Sequence, residues 1–177
     1  MKFNWEDVIK YIIEKGYTRG EAVAVLNCMV KFIKLRAWDK PIIIHYFLKF
    51  EAVEYKTAGK KLKQIDIQPI GKAWWFVGDH YNIYDVRKYI HKETRCSLET
   101  IGDILDGMIK FINFCFTVGG SSTKVRLFKT KDMPAFLKLE VVGNKVVASP
   151  TDKKSKHSWA YSKDRAKIKE ELEEKQQ

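Results

Sequence analysis

The chain has 177 residues, 45% of them hydrophobic, which is enough for one ordinary domain or two small ones with a real core. Lys and Arg outnumber Asp and Glu by 33 to 22, and the formal net charge of +11 favours polyanionic partners. Three cysteines without a Cys-x-x-Cys pattern exclude a disulfide framework or zinc cluster, and no apolar run nears the roughly 20 residues of a membrane span. We therefore expect a soluble, cytoplasmic protein with no membrane partner.

The first elements along the chain are two helices and a β-hairpin. Residues 4–15 place apolar side chains at helical spacing behind Asn4, a predicted N-cap, and Thr18 with Glu21 forms a capping box for a second helix starting near residue 19. The alternation of apolar and basic residues over 33–38 predicts a change from helix to strand near residues 31–34. A second strand is then predicted from Ile42 to Tyr55.

Residues 56–81 connect this unit to the rest of the chain. Four lysines surround Ala58-Gly59 and are typical of a solvated turn: Lys56, Lys60, Lys61 and Lys63. Strands are predicted at Ile65 and Ile67 and again over 74–77. Adjacent Trp74 and Trp75 cannot both face one side of a strand, so one is expected in the core and the other between the two repeats or exposed, with a stacking platform as the alternative.

A second series of elements follows from residue 82. Residues 82–93 form a predicted helix, and Ser97 caps another. Because Gly after Asp is a turn signal, Asp106-Gly107 predicts a break between helices 98–105 and 108–114.

The remaining segments are predicted hairpins and a tail. Residues 118–124 are expected to form a flexible hairpin tip between strands at 114–117 and 125–129. A second hairpin pairs 136–142 with 145–149 through Gly143-Asn144. Residues 151–177 are predicted to form a basic linker followed by a C-terminal helix that either stays solvated or docks on a protein partner.

The two series resemble each other residue by residue. Residues 4–15, 26–33 and 47–53 align with 82–93, 105–112 and 136–142, and 16 of the 27 aligned positions are identical, where ordinary residue usage gives roughly one in fifteen. Self-similarity of this kind predicts an internal duplication. We expect Met29 and Met108, which are equivalent in this alignment, to lie in the core.

The expected architecture is α+β, with an internal duplication of a helix-helix-β-hairpin unit, winged-helix-like in its element order, and a C-terminal helix. Residues 1–81 would hold the first repeat with its bridging strands, 82–150 the second repeat, and 151–177 the basic linker and helix.

No strong catalytic signature is present in the sequence. Walker loops, dinucleotide fingerprints, nucleophile elbows and His-Glu-x-x-His motifs are missing, so no catalytic residue, cofactor or metal ligand is assigned and the chain is interpreted as a non-enzyme. Asp103 and Asp106 are spaced to share a helix face and leave open a metal-dependent nuclease. Their counterparts in the first repeat, Ala24 and Asn27, argue against a symmetric two-metal site.

The leading functional hypothesis is nucleic-acid binding, to double-stranded DNA rather than RNA. In the winged-helix interpretation residues 108–114 are the recognition helix and 118–125 the wing, and phosphate contacts dominate because that helix offers only Lys110 and Asn113 as polar residues. The predicted nucleic-acid-binding residues are Lys31, Lys34, Arg36, Lys110, Lys124, Arg126 and Lys129. The alternative is a protein-interaction module that uses exposed strand edges or the C-terminal helix.

Overall fold

The computed structural model describes residues 1–70, 78–129, 137–142 and 145–150. These residues form four α-helices and seven β-strands, which confirms the predicted α+β class. In chain order the elements are β1 (Lys2–Phe3), α1 (Trp5–Glu14), α2 (Arg19–Arg36), β2 (Ile42–Ile44), β3 (Leu48–Thr57), β4 (Lys60–Pro69), α3 (Ile83–Thr94), α4 (Leu98–Gly119), β5 (Lys124–Leu127), β6 (Leu137–Val142) and β7 (Lys145–Pro150).

Helices α1, α2 and α4 begin at the predicted caps Asn4, Thr18 and Ser97, and Asn82 caps α3. The Asn4 side chain accepts a hydrogen bond from the Asp7 backbone at 3.1 Å, and the Asn4 backbone donates to the Asp7 carboxylate at 2.8 Å. Asn82 and Asp85 form the same capping box before α3, at 3.1 and 2.9 Å. Side chains thus satisfy backbone N–H groups that a helix end leaves without partners.

The predicted change from helix to strand near residues 31–34 is wrong. Helix α2 continues to Arg36, and its last turns bury Phe32, Ile33 and Leu35 together. A helix enclosed by neighbours on several sides loses the clear polar face that marks helical periodicity in a sequence. The alternation over 33–38 therefore reflects burial of a central helix.

The predicted break at Asp106-Gly107 is also wrong, because α4 is continuous from Leu98 to Gly119. A Cβ at Gly107 would lie 3.8 Å from Ile12 and 4.0 Å from Tyr11, so this glycine lies against α1. A short 3₁₀ turn over Gly120–Ser122 ends α4, and no strand forms at 114–117. Residues 118–125 therefore do not form a wing, and 108–114 are not a separate recognition helix.

The strands form two separate sheets. The three-stranded sheet has the order β2-β3-β4 and is antiparallel. The four-stranded sheet has the order β1-β5-β6-β7, in which β1 pairs with β5 in parallel and the remaining pairs are antiparallel. The predicted hairpin of 136–142 with 145–149 is confirmed as β6 and β7, while its turn at 143–144 lies outside the described residues.

One hydrophobic core joins all of these elements. It includes side chains from every helix and both sheets, and Met29 and Met108 are both completely buried, as expected. Helix α1 packs against α4, and α3 packs against α2. The core therefore lies between the two series of elements. That these series superpose as a duplication stays a prediction.

Several predictions fall outside the described residues. They concern Trp74 and Trp75, and the linker and helix over 151–177. Phe136, part of the third repeated block, lies outside them as well.

Candidate nucleic-acid interface

The outward side of the four-stranded sheet carries a cluster of cations, which we call the basic sheet face. Its side chains alternate with buried ones: in β5 Lys124 and Arg126 are exposed, while Val125 and Leu127 are completely buried. The pairing register places residues of the neighbouring strands on the same side as these two. The cations of the basic sheet face are Lys2, Lys124, Arg126, Lys138 and Lys145.

Two pairs of like charges lie directly opposite each other on this face. Lys2 pairs with Lys124 across β1 and β5, and Arg126 pairs with Lys138 across β5 and β6. Neighbouring strands are about 4.8 Å apart, and residues two positions apart on one strand are about 7 Å apart. Like charges at such positions destabilise a sheet. A bound polyanion would remove this repulsion.

One carboxylate lies among these cations. Glu140 is opposite Lys124 in the register and forms an ion pair with Lys138 at 3.4 Å between Nζ and Oε1. Exposed Val142 and Val147 complete the described part of the face. This described part contains neither Asn nor Gln, the side chains that read adenine, and its cations are suited to phosphates and to guanine.

The structure brings only two of the seven predicted binding residues, Lys124 and Arg126, onto the basic sheet face. Lys129 is exposed just beyond β5, near the start of α1. The pKa of the Glu6 carboxyl is lowered chiefly by its hydrogen bond with Arg19, and the positive charge of Lys129 contributes. Lys129 thus lies in a mixed cluster rather than in a purely basic one.

The other four predicted residues are on helices. Lys31, Lys34 and Arg36 lie along the last turns of α2, where the Arg36 guanidinium is 3.7 Å from the Asp39 carboxylate. Lys110 is exposed on α4. None of the four belongs to the basic sheet face. Their role in binding stays a prediction.

A second basic region is the outer part of the β3–β4 hairpin. Ala52 and Ile65 pair near the end of the core, and the tip at Ala58-Gly59 lies six residues further, about 20 Å along the strand. The sequence of residues 54–63 contains four lysines and one acid, Glu54. The Glu54 carboxylate is 3.9 Å from the Lys63 ammonium. The predicted solvated turn is therefore the end of a long hairpin that extends beyond the core.

The two aspartates considered for a metal site have different surroundings. The Tyr17 hydroxyl donates a hydrogen bond to Asp103 at 2.5 Å, and Asp106 is exposed. Within the described ranges, no group of three or more His, Cys, Asp and Glu side chains is placed to hold a metal ion.

Burial raises the pKa of the Cys115 thiol to about 11, so this thiol is protonated at neutral pH and is a poor nucleophile.

Sequence reasoning missed three cations of the basic sheet face. Lys2 belongs to a strand of two residues, which is too short to show a period. Lys138 and Lys145 lie in predicted strands, but their side of the sheet follows only from the pairing of β6 with β5 and β7. Alternation within 137–142 was the available signal, because Leu137 and Leu139 are buried and Lys138 and Glu140 are not.

The functional assignment depends on this geometry and on charge. Among the residues that the structure covers, no helix has the length and apolar character needed to cross a membrane. In comparisons with known proteins, the chain matches no family model and no curated protein.

Proposed function

We propose that this protein binds double-stranded DNA without catalysing a reaction, through phosphate contacts made by the basic sheet face. The observation that carries the proposal is the register that sets Lys2 opposite Lys124 and Arg126 opposite Lys138. Each like-charge pair is unfavourable by itself, Glu140 is the one acid among the described side chains of the face, and bound phosphates would add the missing negative charge.

The charge of the whole chain and the β3–β4 hairpin support the same partner. A net charge of +11 draws the protein toward a polyanion over long range, and the hairpin tip adds lysines well beyond the core. Since phosphate contacts carry no sequence information, we expect weak preference between DNA sequences. The helical cations predicted from the sequence would add phosphate contacts if the duplex extends beyond the sheet.

The test is a titration of a labelled DNA duplex by fluorescence anisotropy at several salt concentrations. Each phosphate contact contributes a slope of about −0.9 in log K against log salt, so five contacts give between about −4 and −5. The double variant Lys124→Gln/Arg126→Gln should reduce the steepness of this slope by up to about 2 and weaken binding equally on unrelated sequences.

A matched control removes two exposed lysines from another surface. Lys88→Gln/Lys92→Gln makes the same charge change on α3 and should leave the slope near the wild-type value. No binding at low salt, or equal losses in the two double variants, would contradict the proposal. The second outcome would mean that overall charge, rather than this face, drives association.

A further inference from the structure

The first feature is that each half of the chain, residues 1–70 and residues 78–150, pairs a backbone segment with the sheet of the other half. The first half contributes β1, which pairs in parallel with β5 of the second half. The second half contributes Tyr81, which pairs in parallel with Ile42 of β2. The Tyr81 carbonyl accepts from the Ile43 N–H at 2.9 Å, and the Tyr81 N–H donates to the Pro41 carbonyl at 2.8 Å. Each half thus extends the other half's sheet.

The second feature is that aromatic rings of each half contact a ring on a helix of the other half. Phe3 and Tyr11 of the first half contact Phe111 on α4, with ring centroids 6.0 and 5.0 Å apart. In the other direction, Tyr81 and Tyr89 contact Phe32 on α2, at 5.4 and 5.3 Å. The sequence alignment equates Tyr11 with Tyr89 and Phe32 with Phe111, and Phe3 and Tyr81 each lie one residue before its first block. The same contact is therefore made twice, with the halves exchanging roles.

The third feature is the burial of one second-half ring in the first half. Phe128 is completely buried and lies 5.8 to 6.3 Å from the rings of Trp5, Phe47 and Phe50. Among the described residues, seven ring–ring contacts join one half to the other. Separated halves would expose much of this apolar surface to water, which the hydrophobic effect opposes.

We infer that the two halves bind each other as the subunits of an obligate dimer do, and that they stay together when the peptide connection between them is cut. The binding surface of each half is its ring-lined helix pair with the sheet edge beside it, and the partner that fits it is the complementary half. This inference is independent of DNA binding. It means that one chain takes the place of a two-subunit assembly.

The experiment introduces a specific protease site directly before Gly78 and cleaves the folded, full-length protein. The uncut variant must first melt at the wild-type temperature. After cleavage, the two fragments should co-elute at the size of the intact protein and retain its circular dichroism spectrum. Because unfolding then includes dissociation, the melting temperature should rise with protein concentration, which it does not do for the uncut chain.

A second variant tests whether the ring contacts between the halves hold the fragments together. Phe111→Ala in the same cleavable chain removes the contacts with Phe3 and Tyr11. It should weaken the association of the fragments and lower the melting temperature of the cleaved protein, while the uncut Phe111→Ala protein stays folded. Fragments that elute separately after cleavage of the otherwise unaltered chain would overturn the inference. A melting temperature independent of concentration in the cleaved protein would overturn it as well.

Discussion

The two sheets differ in the charged residues on the polar face of each. The four-stranded sheet carries five cations and Glu140 on that face, whereas the three-stranded sheet carries Lys49 with two acids, Glu51 and Asp66, among its described side chains. Lys49 is largely buried and its ammonium lies 2.9 Å from the Glu51 carboxylate. The helices beneath the sheets, by contrast, make equivalent ring contacts. The ring contacts that the helices of both halves make therefore stabilise the fold. We place binding on the basic sheet face, where the two sheets differ.

The largest effect is expected from removing a ring that takes part in the contacts between the halves. Phe32 is only 3% exposed, so Phe32→Ala should lower the free energy of unfolding by about 3–5 kcal/mol through lost burial and a cavity. Phe111→Ala should cost less, because Phe111 is only partly buried. Urea denaturation followed by circular dichroism and tryptophan fluorescence gives both values. Noncoincident transitions by the two probes would show that the halves unfold separately, contrary to a common core.

A smaller effect is expected at the two capping boxes, which can be compared with each other. Asn4→Ala and Asn82→Ala should each lower the free energy of unfolding by about 1 kcal/mol, because each removes the side-chain acceptor at the start of a helix. Asn4→Ser and Asn82→Ser keep an acceptor and should recover most of the loss. Thermal denaturation measures all four. A large cost at one cap and none at the other would mean that the helix starts are not equivalent.

Much of the fold could be predicted from the sequence because its signals are local. The caps at Asn4, Thr18, Asn82 and Ser97 set the helix starts, since a side-chain acceptor and a backbone N–H a few residues apart decide them. The continuity of α4 could not be predicted, because the close approach of α1 to Gly107 is a tertiary contact.

The candidate site was only partly predictable for a related reason. Alternation within β5 is a local pattern and identifies Lys124 and Arg126 as neighbours on one side. Whether Lys2 joins them depends on pairing between strands more than one hundred residues apart, which local periodicity does not encode. The pairing that completes the face is thus a property of the folded chain.

The smallest effect concerns a contact without an equivalent in the other half. The hydrogen bond to Asp103, with burial second, raises the pKa of Tyr17 to about 12, from an ordinary value of 10. Ala24, at the position equivalent to Asp103, cannot make such a contact. Because the folded-state pKa is raised, the stabilisation is complete below about pH 10 and is lost as pH rises toward about 12.

The variant Tyr17→Phe should lack this part of the pH dependence. Melting temperatures of the wild type and variant, measured from pH 8 to 12, should differ below about pH 10 and converge above it. Tyr81, whose pKa is also raised, mainly by burial, is present in both proteins and does not contribute to the difference. A difference that is constant over the whole range would mean that the hydrogen bond does not control the ionisation.

The pairing of β1 with β5 also constrains how the protein folds during synthesis. Lys2 and Phe3 are made more than one hundred residues before their partners Lys124 and Val125. Until residues 81–89 have been made, Phe32 lacks Tyr81 and Tyr89, so a nascent first half carries apolar surface that its own residues do not cover. Contacts so distant in sequence slow folding, and exposed intermediates of this kind aggregate or bind chaperones. The two halves should therefore acquire their native structure together, after translation has passed β5.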